Sequence, residues 1–345
     1  MSQLPRLSRP LGVLPETRAE RAARESRFTL DDFQSEDEPM RTCLELARAA
    51  ARTDLPLLIL GETGTGKTIL AHALHNSSSR TKAPFVAFNA AALSDTLIDS
   101  QLFGHEKGAF TGADRRLKGK FEQADGGTLF VDEIADMSLS AQAKILRAVE
   151  YGEFERLGSE ALLQADVRLI SATHHPITRF LADDQFRRDL FYRVSGITLR
   201  LPPLRQRPND MRALIVSEVE RACAEQGKVI TAVAGAALER LLAHPWPGNL
   251  RELKRVIQTA VALTEGRKIE PEVLLLENLA PDPETGDHHI PGAIPGEDLS
   301  LRAAEQRHIQ AVLQRVGGNK RRAARALGLS RSTLDRKLAE LGRSH

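Results

Sequence analysis

The apolar tetrapeptide Leu57-Leu58-Ile59-Leu60 leads directly into Gly61-Glu62-Thr63-Gly64-Thr65-Gly66-Lys67-Thr68, and a helical stretch follows over residues 68–76. This is the pattern G-x-x-x-x-G-K-[ST] in the context that gives it meaning, between a strand and a helix. Its glycines let successive backbone N–H groups turn inward around a phosphate, and the helix N-terminus adds a favourable dipole. Lys67 is placed to reach the β- and γ-phosphates of ATP, and the Thr68 hydroxyl to bind Mg2+. All eight residues from Gly61 to Thr68 are therefore candidates for cofactor binding.

The chain around this loop agrees with it. Apolar runs at 57–60, 85–88, 129–131, 167–172 and 197–201 alternate with helical stretches long enough to serve as crossovers. That pattern predicts an α/β fold, a parallel sheet with helices on both faces, over residues 29–207. From 208 to 280 the pattern is helical, at 211–226, 234–244 and 249–264, which reads as a separate α-helical subdomain. Residues 281–300 hold four prolines, three glycines and five acidic residues without a Lys or Arg, a linker by composition. Residues 1–28 lack apolar periodicity and read as a flexible lead, and residues 301–345 read as a small all-α domain.

A second chemical signal is Gly127-Thr128-Leu129-Phe130-Val131-Asp132-Glu133, a buried strand ending in two carboxylates. Asp132 is expected to hold Mg2+, largely through water, and Glu133 to orient and polarise the attacking water. A second carboxylate favours hydrolysis over phosphoryl transfer to a substrate hydroxyl. Cys43 and Cys223, the only two cysteines, stand far apart in no metal-ligand spacing and read as free thiols in a reducing cytoplasm. No apolar run approaches the roughly 20 residues that span a bilayer, so no membrane partner is expected.

With Gly108-Ala109-Phe110-Thr111-Gly112-Ala113, preceded by Leu102-Phe103-Gly104-His105-Glu106-Lys107, the chain resembles the AAA+ ATPases that activate transcription by sigma-54 RNA polymerase, the bacterial enhancer-binding proteins. The resemblance runs from about residue 29 to 345. It implies a surface loop, inserted in a helix, that moves with the nucleotide state and touches sigma-54 through Gly108, Ala109, Phe110, Thr111, Gly112 and Ala113. Two glycines, two alanines and one aromatic make a mobile loop with one apolar tip, Phe110. An exposed phenylalanine there asks for something to dock on, and the alternative is a structural turn that buries it.

Further segments carry the same resemblance. Phe186-Arg187-Arg188-Asp189-Leu190-Phe191-Tyr192-Arg193 is similar to the family's arginine-finger segment, with Arg187 and Arg193 at the finger positions. Each finger would reach the γ-phosphate held by a neighbouring subunit, so hydrolysis would need self-association, from dimer to hexameric ring. Leu201-Pro202-Pro203-Leu204-Arg205-Gln206-Arg207 resembles the junction between the sheet and helical subdomains. Trp246-Pro247-Gly248-Asn249-Leu250-Arg251-Glu252-Leu253 resembles the second sensor, in which Arg251 would sense the γ-phosphate. Asn249 is expected to cap the helix that carries Arg251, and Trp246 to lie in the core. Asn89 matches the asparagine that holds the catalytic glutamate until a signal arrives. The first sensor strand reads Ser171-Ala172-Thr173-His174, with His where Asn is commonest. Thr173 and His174 are thereby implied to contact phosphate or water.

The net charge of +2 hides an asymmetry: residues 301–345 carry eleven Lys and Arg against three Asp and Glu, leaving the first 300 residues net acidic. A basic end on an acidic body suggests nucleic acid, with a solvated charged helix as the plain alternative. In this end Asn319 can cap a helix to Leu327, Gly328 permits a turn and Ser330 can cap a second helix. Two short helices around a glycine form a helix-turn-helix, resembling the Fis-type DNA-binding unit. Arg331, Ser332, Thr333 and Arg336 would face base edges, and Lys320, Arg321, Arg322 and Lys337 the phosphates of double-stranded DNA.

Together these features imply a bacterial, cytoplasmic activator that hydrolyses ATP, binds upstream DNA and remodels sigma-54 polymerase. The alternative is a nucleotide-responsive DNA-binding repressor that does not act on sigma-54; relatives of that kind lack the hexapeptide. About sixty residues precede the phosphate loop, fewer than the ~100 that a sensing domain needs, so control by a separate regulatory protein is expected.

Overall fold

The computed structural model describes residues 27–276, 319–326 and 334. The chain divides into two compact units, Met1–Asp282 and Pro283–His345.

The first unit opens with helix α1 (Glu38–Ala51), which turns Met40, Cys43, Leu44, Ala47, Ala50 and Ala51 inward at helical spacing. Strand β1 (Leu57–Leu60) follows, then α2 (Lys67–Asn76), β2 (Phe85–Asn89) and α3 (Asp95–Phe103). A two-residue pair, β3 (Gly104–His105) and β4 (Leu117–Lys118), brackets the loop between them and leads to α4 (Lys120–Gln123). Next come β5 (Thr128–Asp132), α5 (Leu139–Tyr151), the hairpin β6 (Glu153–Glu155) and β7 (Leu162–Gln164), and β8 (Arg168–Thr173). Short helices α6 (Ile177–Ala182) and α7 (Arg188–Val194) precede β9 (Ile197–Arg200).

Five of these strands form one all-parallel sheet in the order β2-β5-β8-β1-β9. Its residues alternate between two buried faces. Leu58, Leu129, Val131 and Leu169 pack with Phe88, Ile98, Phe103 and Ile145 on one side. Leu57, Ile59, Phe130 and Ile170 pack with Ala47, Leu70 and Leu74 on the other. Burial on both faces is why these strands read as continuous apolar runs. Four strands depart from those runs: β2 takes in Asn89, β5 takes in Thr128 and Asp132, β8 is 168–173 rather than 167–172, and β9 ends at Arg200 rather than at 201. Asn89 and Asp132 are partners in register, so the polar ends are paired like the apolar middle.

The helical part contains α8 (Met211–Gln226), β10 (Ala232–Val233), α9 (Gly235–Ala243), α10 (Asn249–Leu263) and β11 (Lys268–Ile269). Helices α8 and α10 pack around a second core of Ile215, Val219, Leu238, Leu253, Val256 and Ile257. Trp246 lies in it, 1% exposed, and its indole N–H donates to the Leu241 carbonyl at 3.0 Å.

In the second unit the structure describes α11 (Lys320–Ala326). Asn319 caps it as expected, its Oδ1 accepting from the Arg322 N–H at 3.2 Å. Ala323, Ala324 and Leu334 are buried. The linker at 281–300, the turn at Gly328 and the second helix from Ser330 lie outside the described residues. Among the described residues no helix is long and apolar enough to cross a membrane.

Candidate nucleotide site and surface loop

The glycine-rich loop joins the carboxyl end of β1 to the amino end of α2. Gly64 and Gly66 have φ of +81° and +102°, the left-handed region that glycine enters at no steric cost. At Gly64 space forbids a side chain as well: a Cβ would come within 2.4 Å of the Gly248 carbonyl oxygen. Lys67 is 6% exposed and lies over the loop, donating to the Gly61 carbonyl at 2.9 Å.

Strand β8 sits between β1 and β5, so the loop, the end of β8 and the Asp132-Glu133 pair lie along one sheet edge. Glu133 has φ +55°, a left-handed position for a non-glycine residue. Its Oε2 accepts from the His174 backbone N–H at 3.0 Å and bonds His174 Nδ1 at 2.7 Å. Its Oε1 lies 3.6 Å from Lys67 Nζ. Burial pushes the Glu133 carboxyl up, but the His174 hydrogen bonds and the Lys67 charge outweigh it and hold the group below the ordinary carboxylate value. Asp132 goes the other way. Burial and the adjacent Glu133 raise it, and Lys67 and the Thr68 hydroxyl only partly offset them.

Asn89 does not hold Glu133 in this structure. Its Oδ1 accepts from the Ala91 N–H at 2.8 Å, a bond from two residues on that closes an Asx turn. Glu133 is bonded instead to His174, directly after the end of β8. Thr173 is fully buried, with its hydroxyl accepting from the His175 N–H at 3.1 Å.

The helical part reaches the loop directly. The Leu250 N–H donates to the Gly64 carbonyl at 3.0 Å. Arg251, exposed in the first turn of α10, has its Cβ 3.1 Å from where a Gly64 side chain would start. The Glu62 carboxylate is held in a two-pronged pair with Arg205, 2.6 and 2.7 Å, which keeps it below the ordinary value. The sequence places Glu62 in the phosphate loop and Arg205 in the junction segment but does not reveal that they pair.

Asn249 corrects an expectation. It does not cap α10; Gly248 holds the cap position, and its N–H donates to Glu252 Oε2 at 2.8 Å. Asn249 is instead fully buried at φ +51°, accepting from the Leu204 N–H at 2.7 Å and donating to Glu62 Oε2 and the Thr63 carbonyl at 3.2 and 3.1 Å. The pattern Pro-Gly-Asn suits a cap equally well, so only the tertiary contacts reveal this role. Asn249→Ala should lower stability by about 2–5 kcal/mol. It strands the buried Leu204 N–H, a loss of about 1–3 kcal/mol. It also leaves alanine in a conformation that costs it about 1–2 kcal/mol. Denaturant unfolding measures the sum.

Arg187 precedes α7. Its guanidinium grips Asp189 at 2.7 and 3.1 Å on the surface, which raises its already high pKa, while its backbone N–H is fixed by Gln142 Oε1 at 2.8 Å. Arg193, exposed, reaches the Glu150 carbonyl at 3.2 Å.

The loop at 108–113 lies between α3 and α4, on the β3–β4 pair. Gly108 N–H donates to the Ala113 carbonyl at 2.8 Å and Ala113 N–H to the Phe110 carbonyl at 3.0 Å, closing the loop on itself. Gly108 and Gly112, at φ +84° and +100°, stand in open space. Thr111 is exposed. Phe110 is not an exposed tip: it is half-buried, edge-on to the His105 ring at 5.0 Å. His105 is itself buried and bonded to Ser100 at 2.8 Å. Arg156 underlies the loop, pairing with Glu106 at 3.1 Å and with Glu122.

Of the basic residues expected at DNA, Lys320 and Arg322 are exposed on α11. The side chain of Arg321 and residues Arg331, Ser332, Thr333, Arg336 and Lys337 lie outside the described residues.

A phosphate loop on one strand, an acidic pair two strands away, a polar strand end between them and a helical lid on the loop define a P-loop ATPase of the AAA+ class. Comparison with known proteins narrows this. Residues 33–200 match the family Sigma-54 interaction domain, 205–290 the AAA+ ATPase lid domain and 300–341 the family Bacterial regulatory protein, Fis family. The transcriptional regulatory protein ZraR of Klebsiella oxytoca is 43% identical over 303 residues, 87% of this chain and 67% of that protein. The Nif-specific regulatory protein of Klebsiella pneumoniae is 39% identical over 331 residues, 95% of this chain and 60% of that protein. The crystal structure of NtrX from Brucella abortus in complex with ADP superposes with a TM-score of 0.66 at 31% identity, covering 94% of this chain and 72% of that one. The chain thus belongs to the sigma-54-dependent transcriptional activators, and it spans about two thirds or less of the length of the two regulatory proteins named here.

Proposed function

We propose that this protein hydrolyses ATP in a ring of its own copies and spends the resulting motion on sigma-54 RNA polymerase, opening promoters from DNA bound upstream. The division of labour would follow the chain: ATPase over 29–207, lid over 208–280, DNA binding over 301–345. One observation carries the reading. The loop at 108–113 stands at the end of α3, whose preceding strand β2 lies beside the strand that ends in Asp132. A change at the nucleotide therefore has a short path to the surface loop, across the β5–β2 pairing and along the chain through α3.

In the chemistry, Gly61 to Gly66 wrap the phosphates, Lys67 neutralises them and Glu133 takes a proton from the attacking water. Thr68 and Asp132 would hold Mg2+, which offsets charge on the phosphates when bound. They fit it: both are hard oxygen donors, and Asp132 is left short of positive charge by its neighbours. Arg251 from the lid and Arg187 and Arg193 from the adjacent subunit would complete the site, with Thr173 and His174 at its back. NtrX has been solved with ATP as well as ADP, which supports the choice of nucleotide. Lys320, Arg321, Arg322 and Lys337 would meet DNA phosphates, and Arg331, Ser332, Thr333 and Arg336 the base edges of the major groove. A separate regulatory protein acting on the ring in the bacterial cytoplasm would set when it fires.

Open-complex formation on a sigma-54 promoter tests this. Wild type with ATP should melt the promoter. Thr111→Ala, an exposed change far from the phosphates, should abolish melting while keeping ATP turnover. Failure of the wild type to melt the promoter would sink the proposal.

A further inference from the structure

Gln142, in the first turn of α5, is 0% exposed, and its side chain bonds main-chain groups that lie outside that helix. Its Nε2 donates to the Met137 carbonyl at 2.8 Å and to the Gln185 carbonyl at 3.1 Å. Its Oε1 accepts from the Arg187 N–H at 2.8 Å. The position thus demands two donors and one acceptor at the tip of one side chain. A primary amide supplies them, whereas an ionised carboxylate only accepts and a Lys or Arg only donates. Both partners of the nitrogen are carbonyls and the partner of the oxygen is an N–H, so one orientation of the amide satisfies all three. A buried polar group paired in this way holds its partners rigidly.

The two ends that it joins belong to different parts of the reaction. Met137 closes the turn that begins at Glu133: the Asp136 N–H donates to the Glu133 carbonyl at 3.0 Å, and Ile134, Ala135 and Met137 are buried. Gln185 and Arg187 flank Phe186, which is 2% exposed in the same core as that turn. The Arg187 guanidinium stands outside, on Asp189.

We propose that Gln142 is a positioning residue that couples neighbouring ATP sites: it sets the finger that a subunit lends to its neighbour by the acidic turn of the subunit's own site. It touches no phosphate itself. When the turn after Glu133 shifts with the subunit's own nucleotide, the amide carries that shift from the Met137 carbonyl to the main chain of Arg187, and the guanidinium moves at the next site. This rests on the reading of Arg187 as a finger that acts across subunits.

The test is steady-state ATP turnover of the full chain, alone and in mixtures of variants. Gln142→Met keeps the length and loses all three bonds. Gln142→Glu keeps the acceptor for Arg187 and loses the tie to Met137 and Gln185. In each, kcat should fall about ten- to a hundredfold, as misplaced groups do, while ATP binding, which also reports a folded subunit, keeps its wild-type affinity. Mixed with Glu133→Gln, which lends an intact finger, either variant should regain turnover, because its own Glu133 is in place. Mixed with Arg187→Ala, which lends no finger and receives only a misplaced one, it should stay slow. A residue that merely supported the fold would not tell the two mixtures apart. Should Gln142→Met lose ATP binding, the Gln142→Glu mixtures decide, and loss of binding by both would overturn the inference. Full turnover by Gln142→Glu, or equal turnover in the two mixtures, would overturn it as well. Arg187→Ala mixed with Glu133→Gln is the control for the reading beneath: recovery there leaves the finger standing whatever Gln142 does, and no recovery removes both.

Discussion

Replacing Glu133 with glutamine is expected to slow ATP turnover by about 10²–10⁴-fold, the usual contribution of a positioned general base. The change is nearly isosteric. An amide oxygen still accepts from the His174 N–H, so the side chain keeps its anchor at the end of β5. What it loses is the power to take a proton. Nucleotide binding should survive and become tighter in the ATP state, because Lys67 no longer has a carboxylate 3.6 Å away to draw it from the phosphates. Single-turnover phosphate release, measured with equilibrium binding of ATP and ADP, separates the two effects. Turnover within a few-fold of wild type would remove Glu133 from the chemistry and return attention to Asp132.

Arg187→Ala should have an effect of similar or greater size, roughly 10³–10⁵ in kcat, if the guanidinium works in trans as arginine fingers do. Its present partner is Asp189, gripped at the surface where water screens the pair, so exchanging that carboxylate for a phosphate is easy. Its backbone, by contrast, is pinned by the Gln142 side chain, which fixes where the swing begins. Each subunit of the variant should still bind ATP normally. Mixing supplies the decisive readout. Arg187→Ala subunits keep Glu133, and Glu133→Gln subunits keep Arg187, so a ring mixed from the two would contain complete sites that neither pure ring would have. Activity should reappear on mixing two nearly inactive proteins. If it does not, the finger does not act across subunits.

How far the sequence led depended on whether a residue's role was local. The five sheet strands were legible because burial on both faces leaves an unbroken apolar run, and the phosphate loop because its glycines answer local backbone demands. The lid helix at 211–226 was legible to its ends. Roles that depend on distant partners were not. Asn249 looked like a cap and proved to be a bridge from the lid to Glu62, Thr63 and Leu204, residues far away along the chain. Asn89 sits at the strand end where the resemblance placed it, but its side chain closes a turn, and His174 holds Glu133. The unusual histidine in that sensor strand was the only hint. Phe110 could not be assigned to a partner by pattern, because His105 precedes it by five residues through a loop without regular spacing.

That last contact sets a threshold. A half-buried phenylalanine gains about 1 kcal/mol from its resting place, taking full burial as about 1.5–3 kcal/mol. Such a difference corresponds to a ratio of only about five- to tenfold between lowered and raised forms. Were the loop to rise with the nucleotide, as the resemblance implies, the raised form would be a minor conformer at hand rather than a state to be built, and ATP would need only to shift an existing balance. Any outside surface offering Phe110 more apolar cover than His105 does would tip the same balance from the other end. The loop would thus respond to its target and to its nucleotide in one currency, and each would report on the other.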